Sequence, residues 1–380
     1  VQSWSGANTS HAQNPGATHL GGDGEWNATS TNWEDADGTH RAWAGPYAAF
    51  RGPLRVQDNV VVRSQVTVQG DQQVGCMAID RPYRFAGPGR LVAPESGLTI
   101  RVGNDEILGA TATPTADFDI EITGPGHLFT EGNGTLVMRR ANTFTDGISI
   151  GGGRLDVRAT GALGAGSPNG LGDVSLSSGT LSFTGTDIDA SAHRIWSTGG
   201  VLDISAHTAI AGLNLGSLHG FGTVRLGDQT LVLGDLDFDD EYGGTIMGSN
   251  LSQLVKTGSG VLELSGNNSY TGFTTVREGT LRITGSIRGD VGVYAGTLDG
   301  VGAIGGDVSV VDGATLAGTS NGTMRIGGDL LLGDTSNIDV RLGAPNQTPV
   351  FSVQGALTLD GRLNVSAAGG FGGGDYRLIN

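Results

Sequence analysis

From Val60 onward the chain is a succession of short runs in which every second residue is apolar, each run closed by Gly, Asn, Ser or Asp. Val60 to Val62, Val66/Val68, Leu98/Ile100/Val102, Phe118/Ile120/Ile122 and Leu155/Val157 set the pattern in the first half; Leu231/Leu233, Leu236/Phe238, Val308/Val310, Ile338/Val340/Leu342 and Leu363/Val365 continue it. A period of two marks strands that bury one face, and no segment carries helical spacing. The pattern is densest in residues 254–283, LVKTGSGVLELSGNNSYTGFTTVREGTLRI, where three such runs are separated by two turns. The turns arrive too soon for antiparallel strands of ordinary length. Coiling the chain so that each strand lies over its equivalent in the coil before buries the Leu, Ile and Val side chains in a continuous stack, so the expected fold is an all-β solenoid, a parallel β-helix.

Internal repetition supports this. Residues 127–157 align without gaps on the dense stretch at an offset of 126: Gly132 with Gly258, Gly134 with Gly260, Leu136 with Leu262, Asn142 with Asn268, Phe144 with Tyr270, Ile150 with Val276 and Leu155 with Leu281. A coil of roughly 21 residues divides that offset into about six. The matched asparagines admit two readings: inward amides hydrogen-bonded along the stack, or a turn that needs a left-handed residue.

The first fifty or so residues differ. Trp4, Trp26, Trp33 and Trp43 lie here among His, Asn and acidic residues, with little alternation. A solenoid's first coil exposes apolar surface and unpaired strand edges unless something covers them. Residues 1–56 are therefore expected to be an N-terminal cap and residues 57–380 a single solenoid body, its coils beginning near the phrase Asp58-Asn59-Val60-Val61-Val62.

Composition agrees. The chain has 68 glycines in 380 residues, more than twice the usual share, which a solenoid can place at left-handed turn positions. A net charge of −16 argues against nucleic acid or an anionic membrane surface as ligand. Cys76 is the only cysteine, so no intrachain disulfide and no CxxC motif is possible. No apolar run is long enough for a transmembrane helix. Lys256 is the sole lysine, which suggests codon bias and little else.

The dense stretch also fits K-x-G-x-G-x-L-x-L-x-G-x-N-x-Y-x-G-x-x-x-V-x-x-G-x-L, through Lys256, Gly258, Gly260, Leu262, Leu264, Gly266, Asn268, Tyr270, Gly272, Val276, Gly279 and Leu281. This resembles the passenger-associated transport repeat of bacterial autotransporters. The resemblance implies a secreted passenger whose β-helix is right-handed, as crossover connections usually are. Scarcity of cysteine fits passengers, which cross the outer membrane unfolded. The phrases in residues 296–318 and 326–332 and the last 25 residues resemble closing coils, so the chain is expected to be truncated before an autochaperone segment and a translocator β-barrel, through which alone it would meet the membrane.

Three places invite chemistry. Arg288-Gly289-Asp290 is an integrin-type tripeptide, yet Ser286-Ile287-Arg288-Gly289-Asp290-Val291 recurs as Ala303-Ile304-Gly305-Gly306-Asp307-Val308, so Gly-Asp-Val reads first as a turn phrase. Asp235, Asp237 and Asp239 would share one face of a strand, as acids do in calcium sites and in polysaccharide-cleaving β-helices, but a solvated edge explains them more simply. The histidines at 11, 19, 40, 127, 193, 207 and 219 show no zinc spacing, and a Ser-His-Asp triad is beyond what a sequence can decide. The sequons at Asn27, Asn133, Asn321 and Asn346 read as turn chemistry. The expectation is a surface-displayed or secreted adhesin or self-association module, not an enzyme and without cofactor. Its partners would be host cell-surface or matrix components, or a second copy of itself. The alternatives are a polysaccharide-degrading β-helix enzyme and a non-catalytic stalk.

Overall fold

A computed structural model describes residues 2–6, 21–51, 55–57, 60–103, 113–165, 173–311 and 313–380. Asp58 and Asn59 of the coil-opening phrase, and His11 and His19, lie outside the described residues. Every helix or strand among the described residues is a strand, and nearly all pair in parallel with the equivalent strand of the next coil. The fold is a parallel β-solenoid in each of two compact units, residues 1–188 and 189–380.

In the first unit one ladder runs Tyr47–Phe50, Cys76–Ile79, Leu98–Val102, Leu128–Gly132, Ile148–Ile150, Val174–Leu176. A second runs Ser64–Val68, Tyr83–Val92, Thr115–Thr123, Thr135–Met138, Arg154–Val157, Thr180–Phe183. The period-two pattern sends alternate residues inward, so that Val66, Phe85, Phe118, Met138, Val157 and Phe183 stack in one buried column. Near its start the column is aromatic: Phe85 and Phe118 follow one another at a ring-centroid distance of 4.7 Å, and Phe50 of the first ladder packs on Phe85 at 4.8 Å.

The opening residues pair differently. Gln2–Trp4 runs antiparallel to Trp33–Glu34, which runs antiparallel to His40–Arg41. Trp4, Trp26 and Trp33 are fully buried against one another and against Phe50, with centroid distances between 5.0 and 5.8 Å. Val60–Val62, expected as the first rung, is instead one arm of an antiparallel hairpin with Arg55–Gln57, and the parallel ladder already includes Tyr47–Phe50. Alternation alone does not distinguish the two kinds of pairing.

In the second unit three ladders form three faces. The first is Thr230–Leu233, Gln253–Lys256, Phe273–Val276, Val291–Val293, Val308–Val310, Leu330–Leu332 and Leu357–Thr358. The second is Asp240–Tyr242, Val261–Leu264, Thr280–Ile283, Thr297–Gly300, Thr315–Thr319, Asn337–Leu342 and Arg362–Ala367. Short strands from Asn267–Asn268 to Phe351–Val353 form the third. Coil length strays to both sides of the roughly 21 residues expected: Thr274, Val291 and Val308 are 17 apart, while Leu330 and Leu357 are 27 apart. The strands are constant and the turns absorb the difference.

The recurring asparagines follow the first of the two readings, inward amides hydrogen-bonded along the stack, but their partners are the backbones of the neighbouring coils rather than other amides, and neither is a left-handed turn residue. Asn268 is buried; its Oδ1 accepts the Ile246 amide of the coil before at 2.9 Å and its Nδ2 donates to the Ser286 carbonyl of the coil after at 3.1 Å. Asn142 does the same with Ile122 N at 2.7 Å and Ala162 O at 2.6 Å. Each amide staples three coils through their backbones, where the strands give way to a turn and main-chain groups lack ladder partners. Lys256, which composition dismissed, is buried with its ammonium donating to the carbonyls of Thr257 at 2.5 Å, Gly258 at 2.7 Å and Glu278 at 3.4 Å. Burial pushes its pKa down, and the nearby carboxylates, Asp237 first, oppose that. Gly258 sits in the left-handed region at φ 67°, and a Cβ there would lie 2.0 Å from the Gly234 carbonyl, so the motif requires glycine.

Replacing Asn268 by Ala leaves a buried donor and acceptor unpaired and is expected to destabilise the protein by about 1–3 kcal/mol in urea denaturation, whereas Ala at the exposed neighbour Asn267 changes it by no more than about 0.5 kcal/mol. Tyr270 is fully buried with its hydroxyl 2.6 Å from Thr274 Oγ1, and burial raises its pKa. A raised phenol contributes stability that is complete below its unfolded value of about 10 and is lost as pH climbs beyond it. Tyr270→Phe, the shape already present at Phe144 in the other repeat, is therefore expected to flatten the fall in stability between pH 9 and 11 relative to wild type.

Candidate functional site

The three sequence candidates fall on turns. Asp235, Asp237 and Asp239 do not lie on a strand: residues 234–239 form a turn in which Asp237 takes a left-handed φ of 58°. Their carboxylates accept, in order, Thr257 Oγ1 at 2.8 Å, Ser259 N at 2.6 Å and Val261 N at 2.8 Å. Each therefore reaches the residue 22 positions on and ties its coil to the next. The Ser259 amide holds the Asp237 carboxyl below the ordinary carboxylate range. Among the described residues no three His, Cys, Asp or Glu side chains are grouped to hold a metal.

Arg288-Gly289-Asp290 forms the corner before the strand Val291–Val293. Arg288 is exposed, Gly289 is buried, and a Cβ on Gly289 would lie 2.0 Å from the Gly272 carbonyl. Asp290 Oδ1 accepts the Asp307 amide at 2.9 Å, Asp307 Oδ1 accepts Asp329 N at 2.8 Å, and Asp329 Oδ1 accepts Ala356 N at 2.6 Å. The Gly-Asp phrase is thus a corner device repeated in three coils, and the aspartate of the tripeptide is its first member. The sequons behave similarly: Asn27 Oδ1 accepts the amides of Thr29 and Ser30, and Asn346 Oδ1 that of Thr348.

What the sequence did not single out is the outward face of the second unit's long strands, Asp189–Asp203 and Leu213–Gly227. Trp196, the only tryptophan outside the opening segment, is 42% exposed and packs against His219 of the next coil at a centroid distance of 4.4 Å, the rings inclined by 40°. Phe221, 56% exposed, lies one coil beyond Thr198. The Arg194 guanidinium sits 4.9 Å from the Trp196 ring and 4.5 Å from the Phe238 ring, and donates to Asp240 Oδ1 at 2.9 Å. The same outward position continues as Glu241, Glu263, Arg282 and Asp299 in successive coils. Arg282 Nε donates to Asp299 at 3.0 Å, while Glu241 and Glu263 accept the hydroxyls of Ser265 and Thr284. An aromatic end passes into an acidic ladder along one face. The signal that could have found it was the pair Trp196 and His219 at outward positions of two strands in register.

Ser217, His219 and Asp240 do meet here, but in an order that cannot perform acyl transfer. Ser217 donates directly to Asp240 Oδ2, so the carboxylate, not the imidazole, holds the hydroxyl. His219 Nδ1 accepts the Glu241 amide at 3.3 Å and lies 3.8 Å from Asp240. Ser217 and Asp240 are both buried. A working triad needs the imidazole between the two and the hydroxyl open to substrate.

Two stretches, residues 131–157 and 254–283, match the passenger-associated-transport-repeat family. With the parallel coils, this makes the chain a repeat-bearing passenger region of an autotransporter, whose place is the bacterial cell surface or the extracellular medium. A relative is the adhesin BmaC autotransporter of Brucella suis biovar 1, strain 1330, 33% identical over 302 residues that make up 76% of this chain. The match spans 7% of that much longer protein. No solved structure matches the chain.

Arg288→Ala is expected to leave the denaturation midpoint unchanged, whereas Asp307→Ala, which removes one amide acceptor between coils, should cost about 1 kcal/mol in the same urea titration. Equal effects would show that the corner carboxylates do not hold the coils.

Proposed function

We propose that this chain is a non-enzymatic adhesive or self-associating segment of a surface-displayed passenger. One observation carries the reading: Trp196 and Phe221 are exposed on neighbouring strands in register at the head of an acidic ladder, where exposed aromatics provide anchors and the ladder offers repeated polar contacts. The partner is a host cell-surface or matrix component, or the same face of a second copy. The adhesin title of the Brucella relative agrees. Nucleic acid is a poor fit for a chain of net charge −16. Residues 1–56 serve as the cap of the first coil, a role supported by the buried tryptophans and the antiparallel returns of this segment.

The test displays the passenger on a non-aggregating bacterium and scores settling and attachment to host cells against empty vector. Clumping or attachment is expected, reduced at least several-fold by Trp196→Ala combined with Phe221→Ala at equal surface display. A passenger that produces neither behaviour sinks the adhesive reading and brings forward a stalk or a polysaccharide-degrading enzyme.

A further inference from the structure

The first unit contains an open cleft of about 1010 Å³, at the upper end of the usual size for a small-ligand site. Its walls are unlike the rest of the surface. Trp43 is packed on Trp33 and Trp26, at centroid distances of 4.5 and 5.2 Å, and its indole N–H is spent on the Gln73 carbonyl at 3.2 Å. The ring is locked, and what it offers the cleft is apolar surface. Tyr47, 52% exposed, lines the same cleft from the next strand. Thr99 and Cys76 form part of its floor, being register partners on neighbouring strands.

The charged groups of the cleft are matched in pairs. Arg101 donates through Nε and Nη2 to Glu131 Oε2 at 3.2 and 2.7 Å, and Asp71 is held by both Nε and Nη2 of Arg90 at 2.9 and 2.7 Å. A charged ligand would have to compete with these pairs, and an anionic one would also approach a chain of net charge −16. A neutral ligand rich in hydroxyls meets no such cost. Its hydroxyls find acceptors in Glu131 and the Gln73 side chain and donors in Arg101 and Thr99, and the C–H face of a pyranose ring suits the electron-rich faces of Trp43 and Tyr47. Because Trp43 is already immobilised, little side-chain entropy is lost on binding.

From this arrangement we infer that the cleft is a binding site for a neutral oligosaccharide, with Trp43 and Tyr47 as stacking platforms and the Arg101–Glu131 pair as the polar clamp. The inference stands on the cleft alone and does not rest on the adhesive reading of the second unit's face. It is read on purified protein, where a failure of cell attachment has no bearing.

The 380-residue chain is titrated calorimetrically with cellohexaose, chitohexaose and mannohexaose, and with a heparin hexasaccharide as the anionic comparison. Cys76 provides a position-specific second readout: it is half-buried in the cleft, so a bound sugar should slow its alkylation by iodoacetamide several-fold. The expected result is saturable binding of at least one neutral hexasaccharide, protection of Cys76 by that sugar, and a loss of at least tenfold in affinity in Tyr47→Ala with an unchanged melting temperature. Arg101→Gln, a second exposed variant, should weaken binding as well. The proposal is overturned if no neutral sugar binds at millimolar concentration, if heparin binds in preference, or if binding persists undiminished in Tyr47→Ala without protecting Cys76.

Discussion

The structure depends on one constraint: a coil's backbone hydrogen bonds are made with the coils above and below it. A strand of three or four residues has too few bonds to stand alone, so each rung is held by its neighbours and whatever disturbs one coil reaches the next. This is why polar side chains recur at the corners. Where the ladder lapses, amides and carbonyls need partners, and Asn142, Asn268, Lys256 and the series Asp290, Asp307, Asp329 supply them. The apolar columns give the coils a reason to stack, and the corner residues set how they stack.

The same constraint explains the repeat motif. Leu262, Leu264, Leu281 and Ile283 fill the inner column, Gly258 turns where a Cβ would strike the coil before, Asn268 staples, and Lys256 gathers three turn carbonyls. Many of the motif's fixed positions therefore belong to coil architecture, which leaves the outward positions free to vary. Trp196, His219 and Phe221, and Trp43 and Tyr47 in the first unit, stand outside it.

That division decided what the sequence could reveal. Period-two alternation and the repeat made the parallel solenoid legible, because one buried face and a recurring phrase are local signals. The hairpin at Val60–Val62 was not, since alternation is the same for either pairing direction. Nor was the turn at residues 234–239, where Leu236 and Phe238 mimic a strand while Asp237 takes a left-handed backbone. The outward face was hidden for a different reason: Trp196 and His219 are 23 residues apart, and their contact follows from coil length, which varies from turn to turn. Lys256 was visible as a solitary lysine, but nothing in its spacing announces burial.

With Lys256 enclosed, the folded surface carries its permanent positive side-chain charge as arginine. Guanidinium stays protonated until the pH is well above the lysine range, so the surface keeps its arginine charge where other proteins lose their lysine charge. Amine-directed cross-linkers, biotinylating esters and lysine-specific proteases meet no lysine side chain until the coil around residue 256 opens. The buried amine is thus a built-in reporter of unwinding, silent while the coils remain stacked.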